Sequence, residues 1–213
     1  MPFMFKDRKD AGKKLAGALK KYKDKGALVL AIPRGGIEVG YEVAKYLNAE
    51  FSIIVSRKLP FPGNPEFGFG AISEDGSVFI IDEYEKQLPR GLVEDIIREQ
   101  KLEINRRISI LRKGKPLPQI EARTVILVDD GIAMGGTMRA SISLCKNKKA
   151  KKIIVASPVS GTRMEEELAS SVDEVVILEK PVFFSAVAQA YENWHDVSDA
   201  EAVSILQKWE ASL

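Results

Sequence analysis

Apolar positions along the chain follow two alternating rhythms. Six short runs are dense in Val, Ile and Leu without strict alternation: 27–32 (ALVLAI), 51–56 (FSIIVS), 77–81 (SVFII), 124–128 (TVILV), 152–157 (KIIVAS) and 174–178 (EVVIL). Such runs predict strands covered on both faces, as in a parallel sheet. Between them, 7–23, 36–48, 91–113 and 137–147 carry apolar residues three and four apart, which predicts amphipathic helices. Alternating strands and helices with no long linker predict a single α/β domain over residues 1–213.

One stretch breaks the rhythm. Residues 58–76 (KLPFPGNPEFGFGAISEDG) hold three prolines and four glycines, which predicts a long irregular loop, mobile at its tip 63–65, of the kind that usually serves function.

Composition narrows the chemistry by exclusion. With 32 Lys and Arg against 30 Asp and Glu, the net charge is +2, giving no general case for coating a polyanion. The Lys-rich run 146–152 reads as a solvated helix end without aromatics to stack bases, so nucleic acid is not an expected partner. One cysteine and one histidine leave no thiolate or imidazole cluster for zinc, so a metal would be a hard ion on oxygen ligands. Cys145 reads as packed core and His195 as a surface residue. No run approaches the roughly 18 apolar residues of a membrane span, and the start lacks a secretory signal, so the expected compartment is the cytoplasm.

The candidate chemistry sits at 125–137, VILVDDGIAMGGT. Ligands of open α/β sheets collect at the carboxyl ends of strands, where Asp129 and Asp130 fall. Adjacent carboxylates repel and cost desolvation, so they suit a cation or the hydroxyls of a polyol. The small-residue loop behind them can present backbone N–H groups at a helix N-terminus, an anion cradle. A ribose 5-phosphate satisfies both halves. A Walker loop is not supported, because Gly136 and not Lys precedes Thr137, and no G-x-G-x-x-G follows any predicted strand.

This stretch resembles the phosphoribosyl pyrophosphate signature of the type I phosphoribosyltransferases. The likeness runs from FKDRKDAG (5–12) through AIPRGG (31–36) and RKLPFPGNPEFGFGAI (57–72) to FFSAVAQAYENW (183–194), and is greatest to members whose base is unassigned. The resemblance implies a parallel sheet of about five strands flanked by helices, with a small C-terminal hood over about 180–213.

It also implies roles. Asp129 and Asp130 would take the ribose hydroxyls, acting electrostatically on a cation-like sugar and contacting Mg2+ through water or those hydroxyls. Ala133, Met134, Gly135, Gly136 and Thr137 would hold the 5-phosphate. Arg34, Gly35 and Gly36 would take pyrophosphate, with Arg57 and Lys58 reaching the same group ahead of a closing loop. Tyr191, Trp194 and Phe184, with Phe183 nearby, would face the base. The family commonly has threonine where this chain has Met134, a loss of about 1 to 3 kcal/mol if nothing replaces the hydroxyl. Ala133 stands where 6-oxopurine enzymes carry an aspartate. The implied activity is magnesium-dependent transfer of phosphoribose to a nitrogenous base by a homodimer. A non-catalytic sensor of phosphoribosyl pyrophosphate or a nucleotide, regulating a partner or nucleic acid, is the alternative.

Overall fold

In the computed structural model, residues 3–85 and 87–212 are described, apart from the side chains of Pro65, Glu66 and Glu85. Helix α1 (Arg8–Ala18) starts where the Asp7 carboxylate accepts a hydrogen bond from the Asp10 amide at 2.7 Å. A 3-10 turn at Lys20–Tyr22 leads to β1 (Leu28–Ala31), α2 (Gly35–Leu47) and β2 (Glu50–Ile53). An antiparallel unit follows, β3 (Ser56–Phe61), β4 (Asn64–Ser73) and β5 (Val78–Ile80), then α3 (Asp82–Glu85) and the long α4 (Arg90–Leu111). The rest alternates: β6 (Thr124–Val128), α5 (Gly136–Asn147), β7 (Lys152–Val159), α6 (Met164–Ala169) and β8 (Glu174–Glu179). A 3-10 turn at Val187–Ala190 precedes α7 (Asp199–Glu210), whose start is fixed by reciprocal Ser198–Glu201 hydrogen bonds.

The main sheet is parallel with strand order β2-β1-β6-β7-β8. Its two faces divide the alternating side chains. Val29, Ala31, Ile126, Val128 and Ile154 join the cluster under α1, α2, α4 and α7, whereas Leu28, Leu30, Val125, Leu127 and Val155 meet α5 and α6. Period-two alternation buried on both sides explains why these strands read as continuous apolar runs.

Two expectations need correction. Residues 77–81 are not a strand of the parallel sheet, because β5 is the edge of the separate sheet β3-β4-β5. Residues 58–76 are not irregular either. They form most of a hairpin in which Pro60 sits at a register shift and Gly63 turns the chain at φ 78°. Proline and glycine mark a bulge and a turn here, while Phe61, Phe67, Phe69 and Tyr84 pack edge to face to hold the unit together. Within 180–213, α7 packs on α2 and α4, with Trp209 against Tyr41 and Phe51.

Candidate active site

Strands β1 and β6 are neighbours, and Ala31 is in register with Val128. Chain order reverses direction between them, so the loops that follow both strands open on one crevice. The two glycines after Arg34 are what lets the loops meet. A Cβ on Gly35 would lie 1.8 Å from Asp130 Oδ2, and one on Gly36 would lie 2.9 Å from the Val128 carbonyl oxygen. The peptide between Pro33 and Arg34 is cis.

On the β6 side, Gly135 takes φ 70° and caps the N-terminus of α5, which carries no acidic residue in its first turn. Ala133, Met134, Gly135, Gly136 and Thr137 line a cavity of about 240 Å³ together with Asp129, Lys58, Gly68 and Gly70. Backbone amides of the first helical turn and the positive end of the helix dipole make this end of the cavity attractive to an anion. Met134 is 48% exposed and brings a thioether, not a hydroxyl donor, to this loop.

The acidic pair divides. Asp129, half-buried, lines the cavity and accepts a hydrogen bond from the Asp130 amide at 2.9 Å. Burial first, and the Asp130 charge second, hold its carboxyl well above the usual carboxylate range. Asp130 is buried and accepts from Arg8 Nε at 2.6 Å, while its carbonyl accepts from the Tyr191 hydroxyl at 2.5 Å. Arg8 Nη1 donates to the His195 carbonyl at 2.9 Å and toward Glu38 at 3.4 Å, and its guanidinium lies 3.9 Å from the Trp194 ring centroid. Burial raises the Glu38 carboxyl, with Arg8 opposing the rise.

Arg8 was not singled out by sequence reasoning. The available signal was position: it falls on the same helical face as Ala11, Gly12 and Leu15, all buried, where a charged residue requires a partner.

The basic residues also separate. Strand alternation sends Lys58 toward the cavity, its stem against Gly68, where a Cβ would come within 2.6 Å. Arg57 faces α4 and donates to Gln100 Oε1 at 3.1 Å, among Arg34, Arg106 and Arg107. Burial, then the Arg107 charge, lowers its affinity for the proton, although a guanidinium stays charged. Arg34 reaches Asp199 at 3.3 Å, and Arg106 reaches the other oxygen of that carboxylate at 2.9 Å.

The aromatic residues fall in unlike settings. Tyr191 is 1% exposed, with its ring against Phe5 and Trp194, so it offers no open face for a base, and its expected role as a stacking contact is corrected to a packing one. Trp194 has one face under Arg8, and Phe184 is half-buried against the Tyr191 cluster. Phe183 is 80% exposed. Main-chain hydrogen bonds from Glu192 and Asn193 to Phe5 and Lys6 tie the hood to the N-terminal segment. His195 is solvent-facing near Glu201, and Cys145 is fully buried in α5, its thiol pushed up to about 12 by burial.

Among the described residues no group of three or more His, Cys, Asp or Glu is arranged to hold a metal, and no helix is long and apolar enough to cross a membrane. A hollow of about 520 Å³ at the amino ends of β6 and β7, between Glu74, Pro118 and Lys149, shares no lining residue with the cavity at Asp129 and Lys58.

The phosphoribosyl transferase domain family matches residues 5–192. Two curated proteins of Mycobacterium tuberculosis, from strains CDC 1551 / Oshkosh and H37Rv, are 38% identical over 207 residues and provisionally named phosphoribosyl transferases. The match takes in 96% of this chain and 47% of theirs, so the chain spans about half the length of these relatives. The crystal structure of TT1426 from Thermus thermophilus superposes with a TM-score of 0.81 at 34% identity, over 96% of this chain and 98% of that one. Strand order, crevice and family match agree: the chain belongs to the phosphoribosyl transferase domain family and has the type I phosphoribosyltransferase fold.

Proposed function

We propose that this chain transfers the 5-phosphoribosyl group of phosphoribosyl pyrophosphate to a nitrogenous base. The C1–oxygen bond to pyrophosphate breaks as a bond from C1 to a ring nitrogen forms. One observation carries the reading: Asp129, the loop 133–137 at the start of α5, and Lys58 line a single cavity at the carboxyl edge of the sheet. Chemically this is a place for sugar hydroxyls and a phosphate with a cation beside them.

In this reading Ala133, Met134, Gly135, Gly136 and Thr137 hold the 5-phosphate, and the carboxylates of the acidic pair take the ribose hydroxyls. Pyrophosphate lies on Arg34, Gly35 and Gly36, with Lys58 and the arginine group around Arg57 offsetting its charge. Negative charge at the pair favours the cation-like sugar of the transition state. The hairpin β3–β4 covers the cavity and limits access of water to that sugar. The base rests against Trp194 and Phe184.

A carboxylate beside the cavity is an oxygen ligand of the kind Mg2+ takes, and Mg2+ shares its coordination with substrate oxygens. Asp129 and Asp130 would hold it through water or the ribose hydroxyls, and it would neutralise pyrophosphate charge. By resemblance the protein acts as a cytoplasmic homodimer.

Calorimetric titration with phosphoribosyl pyrophosphate, with and without magnesium, tests the reading when paired with a pyrophosphate-release assay across a panel of bases. Magnesium-dependent binding with turnover of at least one base supports it. Absence of binding by the folded protein overturns it. Binding without turnover supports the sensor reading, which Met134 in place of a hydroxyl donor favours.

A further inference from the structure

Arg34 stands at the N-cap of α2, in the loop that opens on the crevice. Its Nη1 meets Asp199 Oδ1 at 3.3 Å, while Arg106 Nη1 from α4 meets Oδ2 of the same carboxylate at 2.9 Å. Asp199 is the first residue of α7, which packs on both α2 and α4, so one carboxylate ties three helices. The reciprocal Ser198–Glu201 hydrogen bonds set where α7 begins, and a carboxylate in a first turn is favoured by the helix dipole. Hydrogen bonding from Arg106 first, opposed by burial and joined by Arg34, holds the Asp199 carboxyl below its ordinary value.

The charge of the neighbourhood is unbalanced. Arg107, Arg34 and Arg106 lie around Arg57, and Glu103 takes Arg106 at 2.7 Å and Arg107 at 2.9 Å. Four arginines thus share two carboxylates among the described residues, Glu103 and Asp199. Glu103 pairs along its own helix, whereas Asp199 reaches Arg34 from another element. That pair is loose, with side chains 35% and 28% exposed, a setting in which an ion pair is weak and open to exchange. A polyanion arriving at Arg34 therefore competes with a carboxylate of the protein itself.

We propose that Asp199 is a positioning residue, an internal counter-ion that holds Arg34 ready and yields it to pyrophosphate. This rests on the phosphoribosyl reading and deepens it: Arg34 passes between Asp199 and pyrophosphate, and Arg106 keeps Asp199 in place during the exchange. The competing carboxylate weakens retention of the leaving group, so pyrophosphate departs more readily after transfer.

The test is calorimetric titration of pyrophosphate with magnesium into the wild type, Asp199→Asn, Arg34→Gln and Arg34→Gln/Asp199→Asn, each with a thermal melt. Asp199→Asn is expected to bind pyrophosphate about fourfold more tightly, the scale of a partly exposed ion pair. Arg34→Gln is expected to weaken binding about tenfold. In that background Asp199→Asn is expected to change affinity less than about 1.5-fold, because the cation it competes for is gone.

A merely structural Asp199 would lower the melting temperature and leave affinity unchanged. A carboxylate acting only through its general field would tighten binding equally with and without Arg34. Either result overturns the proposal. If Asp199→Asn does not fold, Arg106→Gln decides: Asp199 then turns wholly to Arg34, and pyrophosphate binding is expected to weaken about threefold, but only where Arg34 is present. An equal loss in the Arg34→Gln background overturns it. A wild type that binds phosphoribosyl pyrophosphate, with pyrophosphate affinity indifferent to Asp199, overturns this inference alone. A folded wild type that binds neither compound overturns the phosphoribosyl reading with it.

Discussion

Asp129 and Asp130 are consecutive residues of one chemical type, and they end up in unlike regions. On one side lies an open cavity with small residues, a helix N-terminus and Lys58. On the other lies a filled space in which Arg8, Gly35, Tyr191 and Trp194 converge around a single aspartate. Both lie just past the end of β6, against the loop at Gly35 and Gly36. What divides them is the partner: α1 supplies a buried cation to the filled side. Identity of residue type therefore says little about role at a strand end.

The largest effect should come from disturbing the filled side. Gly35→Ala places a methyl group on the Asp130–Arg8 contact, and a loss of about 3 kcal/mol or more in unfolding free energy is expected by denaturant titration. Gly136→Ala on the open side is the control. Its nearest neighbours stand at 3.6 Å, an ordinary contact, and its effect on stability should stay within about 0.5 kcal/mol. Equal losses would erase the contrast between the two sides.

Next in size is Tyr191→Phe, which removes the hydroxyl bonded to the Asp130 carbonyl and leaves that buried oxygen short of a donor. A loss of about 1 to 2 kcal/mol is expected from thermal or denaturant unfolding. An unchanged stability would mean that the hood contributes less to holding Asp130 than the geometry indicates.

A third difference between the sides should show in pH dependence. The Asp129 carboxyl is raised above its ordinary value of 3.8 by burial and by Asp130. The folded state therefore binds this proton more readily than the unfolded chain, and the associated stability is present in full below the unfolded value. It is lost as pH rises through the raised native value. Asp129→Asn is thus expected to melt a few degrees higher than the wild type at neutral pH, with the difference closing near pH 4, as measured by melts across that range. A binding carboxylate that destabilises its own fold is a common cost of function.

The smallest effect on stability should come from Met134→Thr, at an exposed position on the open side. Melting should be nearly unchanged, while affinity for phosphoribosyl pyrophosphate improves up to about tenfold if the hydroxyl gains a net hydrogen bond to the phosphate. Titration calorimetry on both proteins measures this directly.

Much of the fold was legible because burial on both faces leaves a strong trace. The runs at 27–32, 124–128, 152–157 and 174–178 became β1, β6, β7 and β8, and glycine-marked helix starts at Gly35 and Gly136 lie next to the loops that matter. The hairpin was not legible because proline and glycine signal both turns and loops, and the aromatic packing that makes β3–β4 a sheet joins residues as far apart as Phe61 and Tyr84. Residues 77–81 look like any short apolar strand, and nothing local says which sheet receives them.

The sequence by itself determined the α/β class, the acidic pair at a strand end, and the small-residue loop opening a helix, because each depends on neighbours within a few positions. Tertiary structure alone decided which carboxylate faces the cavity, that Lys58 and Arg57 part company, and that Tyr191 is packing where Trp194 keeps an outer face. The setting of Asp130 depends on Arg8 meeting it across 122 positions of chain. A contact of that separation leaves no period or motif to read, only a charged residue on an otherwise apolar helix face, waiting for a partner that folding supplies.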